Sequence, residues 1–198
     1  MSLLKLKQTD LKQPDNNMDL IDEPLPGVKI FRPFVFEDER GSFVKPFHEG
    51  QLGDYGISMN VKEEFFSTSA AEVIRGMHFQ MPPHAHQKIV YCLTGRILDV
   101  VLDLRESSPT FGESVAFELS ARNRHIVPIP VGFAHGFLSH EDDSCLIYKT
   151  DAVHSPDCDA GILWNSFGFN WPIKNFEDIS ISDRDQKHSC FEKFKTPF

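Results

Sequence analysis

Short apolar runs alternate with polar, turn-forming breaks along most of the chain. The runs are VKIFRPFVF, SFVKPF, VKEEFFSTS, EVIRGMHF, KIVYCL, RILDVVLDL, SVAFELS, RHIVPI, FAHGFLS and SCLIYKT. Each has the length of a β-strand, and their close spacing predicts an antiparallel sandwich or barrel. The clearest local pairing is QKIVYCLTGRILDVVLDLR, where Thr94-Gly95 joins two apolar strands and predicts a hairpin with Gly95 at positive φ. On the second of these strands Ile97, Asp99, Val101 and Asp103 alternate with Leu98, Val100, Leu102 and Leu104, so one face carries two acids and the other is aliphatic. Residues 1–24 are polar, with two prolines and no apolar period, and read as an extension outside a single folded domain spanning 25–198. After Trp171-Pro172 the chain is polar and irregular, with ISDRDQKH as a short capped helix. No internal repeat or low-complexity tract is evident.

Composition narrows this picture. Eighteen phenylalanines and 13 prolines, with few helix-favouring runs, place the chain in the mostly-β class. At 198 residues one domain with its own core is the expectation. Twenty basic against 29 acidic side chains leave a net charge of −9, which disfavours a nucleic-acid partner because such binding needs a basic face. No apolar run approaches the roughly 20 residues of a membrane span, and no charged-then-apolar leader is seen. The expectation is a soluble, cytoplasmic protein with no membrane partner. Cys92, Cys145, Cys158 and Cys190 are scattered and read as reduced thiols.

The histidines carry the chemistry. His78 lies in Arg75-Gly76-Met77-His78-Phe79-Gln80, His84 and His86 in a Pro-Pro-His-Ala-His loop, and His135 in Pro130-Val131-Gly132-Phe133-Ala134-His135-Gly136. Histidines on neighbouring barrel strands suit a metal site, and P-x-G-x-x-H is one of the two signatures of cupin barrels. The other signature needs a glutamate four or five residues after H-x-H. Val90 and Tyr91 stand there instead. A histidine base is the other reading. His78 can remove a proton near neutral pH, and Lys88 can stabilise an oxygen on which negative charge grows. That pair suits proton abstraction beside a ketone.

Read together, the motifs extend further. Asp38-Glu39-Arg40-Gly41-Ser42-Phe43, Ser67-Thr68-Ser69, the Arg75–Gln80 run followed by Pro82-Pro83, Gln87-x-Ile89-Val90, Asp103-Leu104-Arg105, Ser108-Pro109-Thr110-Phe111-Gly112, the Pro130–Phe137 run and Trp171-Pro172 occur in that order. This series resembles the dTDP-4-dehydrorhamnose 3,5-epimerase family over about Leu25 to Phe191.

The resemblance implies a cupin-type double-stranded β-helix, or jelly-roll barrel, with short peripheral helices. It implies a typically dimeric enzyme that needs no metal or other cofactor and acts on a nucleotide-diphosphate 4-keto-6-deoxyhexose. It places the general base at His78 and its dyad partner at Asp185, the stabiliser of the C4 enolate oxygen at Lys88, and the opposite-face acid at Tyr148. Arg40 and Arg75 match residues that hold the diphosphate, for which a guanidinium fork is well shaped. His135 matches a sugar-contacting histidine, and Phe36, Lys45, Glu63, Gln80, His154 and Trp171 match other pocket positions.

Several of these positions depart from the family pattern. Lys45 replaces a usual glutamate, Glu63 and Phe65 replace glutamine and asparagine, and His154 stands near a usual tyrosine. These changes alter the hydrogen-bond partners offered to the nucleotide and sugar. Inversion at C3 alone, another nucleotide sugar, a metal-dependent cupin enzyme using His78, His84, His86 and His135, and a non-catalytic sugar-nucleotide binder are the alternatives.

Overall fold

The computed structural model describes residues 17–198. Two sheets face each other as a jelly roll. The first is ordered β1 (Asp19–Leu25), β2 (Val28–Arg32), β10 (Ile126–Ile129), β7 (Lys88–Thr94), β12 (Ser144–Thr150) and β5 (Glu63–Ser69). The second is ordered β13 (Asp159–Gly161), β6 (Val73–Gln80), β11 (Phe133–Ser139), β8 (Arg96–Asp103) and β9 (Ser114–Ser120), with β14 (Ser180–Ile181) added in parallel to β6. Strands β3 (Phe34–Asp38) and β4 (Gly41–Lys45) pair only with each other, as a separate hairpin. A short helix α1 (Glu49–Asp54) and three single 3₁₀ turns are the peripheral helices.

Strand alternation builds three apolar layers. Ile97 and Val101 of β8, Val90 of β7, Val127 of β10, Phe137 of β11 and Leu146 of β12 meet between the sheets. Val100 and Leu102 of β8 point the other way, into a layer closed by Ile162, Trp164 and Trp171. Ile89 of β7, Phe31 of β2 and Leu52 of α1 cover the outside of the first sheet. Strand β8 is therefore buried on both faces, and its two acids point inward, where Asp99 and Asp103 are fully buried.

Two expectations change. The polar extension ends before residue 24, because Asp19–Leu25 is a strand paired with β2. It is an edge strand whose side chains, apart from Leu25 and the partly buried Pro24, face solvent, so it lacks an apolar period. The rest of the extension, residues 1–16, lies outside the described residues. The Thr94-Gly95 turn joins no hairpin. Strand β7 pairs with β10 and β12, whereas β8 pairs with β9 and β11, so Gly95 is a corner between sheets. Its φ is +73°, and a Cβ there would lie 2.7 Å from Ser144 Cα. Local turn chemistry is the same for both arrangements, and only the partner strands distinguish them.

Asp103 ties the end of β8 to the following loop. Its carboxylate accepts from the Arg105 guanidinium (2.9 and 2.7 Å), from Ser108 Oγ (2.6 Å) and from Thr110 Oγ1 (2.7 Å). Burial works against its charge, but these donors hold its pKa down to about 2. A carboxylate with a depressed folded-state pKa stabilises the fold above its unfolded value and loses that contribution as pH falls through the folded one. Asp103→Ala is expected to cost about 2 kcal/mol at pH 7 by urea unfolding. The gap between variant and parent should narrow between about pH 4 and pH 2.

Candidate active site

A cavity of about 400 Å³ opens between the two sheets. The register decides what faces it. His78 of β6 lies opposite His135 of β11, while on the other sheet Tyr148 pairs with Val90 and Thr150 with Lys88. Strand β6 changes phase at Gly76: Ile74, Met77 and Phe79 pack into the outer apolar layer, whereas Arg75, His78 and Gln80 line the cavity. That shift occurs where β6 and β11 approach closely. A Cβ on Gly76 (φ +134°) would lie 2.5 Å from Gly136 Cα, and one on Gly136 would lie 2.7 Å from Arg75 O. Only two glycines permit this contact.

Asp185 reaches His78 from the C-terminal segment. Strand β14 pairs alongside the start of β6, and the chain then turns, with Ser182 Oγ accepting the Asp185 N–H (3.1 Å). Asp185 Oδ2 accepts the Gly76 N–H (3.0 Å), and Oδ1 lies 2.8 Å from His78 Nε2. Burial works to raise the Asp185 pKa, but the neighbouring His188 and His78 imidazoles and the Gly76 N–H outweigh it and hold the group ionised. The carboxylate therefore keeps the His78 proton on Nε2 and leaves the Nδ1 lone pair available. Burial depresses the His78 pKa, and Asp185 partly offsets this.

Three more buried groups complete the interior. Lys88 Nζ donates to His78 O (3.4 Å), and burial pushes its pKa down to about 8 despite Asp99 and Asp159. The Tyr148 hydroxyl lies 3.4 Å from Ser67 Oγ, its ring stacks on Phe65 (4.6 Å, 12°), and burial pushes its pKa up. His135 Nε2 is 2.8 Å from Asp99 Oδ2, and Asp99 Oδ1 is buried with no hydrogen-bond partner.

Of the residues expected in the pocket, His78, Lys88, Tyr148, Arg75, Glu63, Gln80, His135 and His154 line this one cavity, and Asp185 stands directly behind His78. Glu63 Oε2 accepts the His154 N–H (2.6 Å), so two of the departures from the family pattern touch each other. Trp171 does not line this cavity; it lies in the outer apolar layer with its indole N–H on Trp164 O (2.8 Å). Phe36, Arg40 and Lys45 sit on the β3–β4 hairpin and do not line the cavity of their own chain. The Arg40 side chain is 81% exposed and paired with Asp38, and Lys45 Nζ stands 5.9 Å from the Phe34 ring. Arg184, Asp159, Thr150 and Ser67 are cavity residues that sequence reasoning missed. Arg184, bonded to Asp159 (2.7 Å), had a signal in being next to Asp185.

The histidine quartet expected of a metal centre is not assembled: His84 lies exposed outside the cavity. Among the described residues, the one group of three with ligand atoms within 4.8 Å of one another is His78, Asp185 and His188. Its carboxylate already accepts from Gly76 and His78, with Arg184 Nε at 3.4 Å, so a cation would have to displace these donors.

The family model described as dTDP-4-dehydrorhamnose 3,5-epimerase matches residues 22–193. The dTDP-4-dehydrorhamnose 3,5-epimerase of Shigella flexneri is 40% identical over 171 residues, covering 85% of this chain and 93% of the relative. The crystal structure of the corresponding enzyme of Elizabethkingia anophelis superposes with a TM-score of 0.83 at 36% identity, covering 89% of this chain and 97% of that one. A Legionella pneumophila epimerase crystallised with dTDP-4-keto-L-rhamnose superposes with a TM-score of 0.85 at 30% identity, over 90% of this chain and 95% of that one. With the site geometry, these matches establish that the chain is a nucleotide-sugar isomerase and belongs to the dTDP-4-dehydrorhamnose 3,5-epimerase family.

Proposed function

We propose that this enzyme inverts C3 and C5 of a dTDP-linked 4-keto-6-deoxyhexose, with His78 Nδ1 as the base and Tyr148 as the acid. The observation that carries this reading is their placement on opposed sheets of one cavity, His78 on β6 and Tyr148 on β12. The C4 ketone acidifies the C–H bonds at C3 and C5. His78 Nδ1 takes a proton, the electron pair moves onto the C4 oxygen, and Lys88 Nζ stabilises that enolate. Asp185 stabilises the imidazolium. The C4 carbonyl then re-forms as the Tyr148 hydroxyl gives its proton to the other face of the carbon, which inverts it. Solvent takes the His78 proton and restores that of Tyr148 before the second carbon reacts.

Arg75 holds the diphosphate, with its guanidinium fixed by Ser69 Oγ and Thr68 O (both 3.0 Å). Arg40 and Phe36 serve a second copy of the chain: the enzyme is a cytoplasmic homodimer whose β3–β4 hairpin reaches the neighbouring cavity. The exposure of Phe36 and Phe43, paired across that hairpin, supports this. Incubation with dTDP-, CDP-, GDP- and UDP-linked 4-keto-6-deoxyhexoses, followed by NMR of the products, tests the function. Inverted dTDP sugar is expected, and no inversion of any of them would overturn the proposal.

The two perturbed groups set the pH dependence. His78 must be neutral to act, so kcat/KM should rise with pH through a pKa below 6.5. Lys88 must be charged, so kcat/KM should fall as pH passes about 8. Lys88→Arg is expected to move the alkaline limb upward and leave the acid limb in place, as read from pH–rate profiles.

A further inference from the structure

His86 entered the sequence reading only as a metal ligand, and the proposed mechanism does not use it. It lines the cavity two residues before Lys88. The intervening Gln87 donates to Ser58 O (2.5 Å) and Asp151 Oδ2 (2.9 Å), while His86 and Lys88 both face the cavity.

The orientation of Gln80 settles which His86 nitrogen carries hydrogen. Gln80 Oε1 accepts the Ser155 N–H (2.6 Å), which fixes the amide. Its Nε2, which can only donate, faces His84 O (2.7 Å), His86 Nδ1 (2.9 Å) and, at longer range, Val153 O (3.3 Å), so the two shorter contacts take its hydrogens. A nitrogen that accepts carries no proton, so the neutral ring holds its hydrogen on Nε2.

We propose that His86 is a substrate-binding residue that presents a fixed, uncharged Nε2–H donor to an acceptor oxygen of the keto-sugar. Burial first, then Lys88 and His154, press its pKa down to about 3, so the ring stays neutral across the working range. Lys88 Nζ is held at His78 O and the His86 ring at Gln80, so the two address different oxygens of one sugar. Lys88 takes the oxygen that gains charge. His86 takes one whose charge does not change, and so contributes equally to substrate and transition state.

This inference rests on the proposed function, and two measurements test it. In a long-range ¹H–¹⁵N spectrum of ¹⁵N-histidine-labelled enzyme, the ring signals lost in His86→Gln should show the Nε2–H tautomer and no titration between pH 5 and 9. An Nδ1–H tautomer or a titrating ring overturns the proposal. In steady-state assays His86→Phe, which keeps a ring and removes the donor, should raise KM about 10- to 100-fold with kcat little changed. His86→Gln, which keeps an N–H, should restore most of the loss. An unchanged KM in His86→Phe overturns the inference and leaves the proposed function standing, whereas absence of turnover by the parent enzyme removes both.

Discussion

His78→Asn is expected to lower epimerisation by at least about 10³-fold and to remove solvent deuterium exchange with it. Both readouts fall because inversion and exchange begin with the same step, proton abstraction by Nδ1. The variant retains the fold, since the His78 side chain is 29% exposed and packs in none of the apolar layers. The asparagine amide stops near the position of Nδ1, short of Asp185, whose carboxylate keeps the Gly76 N–H and the Arg184 guanidinium beside it. The loss therefore reports the base itself. A variant that exchanged deuterium at the parental rate would remove His78 from that role. Circular dichroism and thermal unfolding alongside the assay show that the variant is folded.

Tyr148→Phe separates the two half-reactions. Abstraction by His78 and enolate stabilisation by Lys88 remain, and only the opposite-face acid is gone. Deuterium should therefore still wash into the starting sugar, delivered back by His78 on the original face. Inverted product should fall by about 10²- to 10³-fold. The ring keeps its stack on Phe65, and the only hydrogen bond lost is the long one to Ser67. Burial makes the phenol a reluctant acid in water, yet an enolate carbon is basic enough to take its proton. Equal loss of exchange and inversion, measured by NMR in D₂O, would argue that Tyr148 serves the cavity as packing alone.

Much of the site could be read from the chain because it rests on strand alternation and short motifs. His78, Lys88 and Tyr148 each lie within a strand run recognisable from its apolar pattern. The outcome at Gly95 shows where local information ends, since a two-residue turn suits a hairpin and a sheet corner alike. The edge strand β1 escaped notice because most of its side chains face water. Trp171 falls outside the cavity because its aromatic ring suits an apolar layer as well as a pocket, and its indole partner is seven residues away in an irregular loop. Arg40 and Lys45 share a hairpin that pairs with neither main sheet, and no strand pattern states where such a hairpin lies. The Gln80–His86 contact was hidden for another reason. It depends on which way an amide faces, and loop backbone groups at Ser155 and His84 decide that.

In the proposed mechanism one cavity removes a proton beside the C4 ketone and returns another to the opposite face. This mechanism is tested most directly by NMR of a dTDP-linked 4-keto-6-deoxyhexose incubated with the enzyme in D₂O. Deuterium is expected at both C3 and C5 of the product, with both centres inverted. Inversion with the original hydrogen retained, or no deuterium at either carbon, would contradict it.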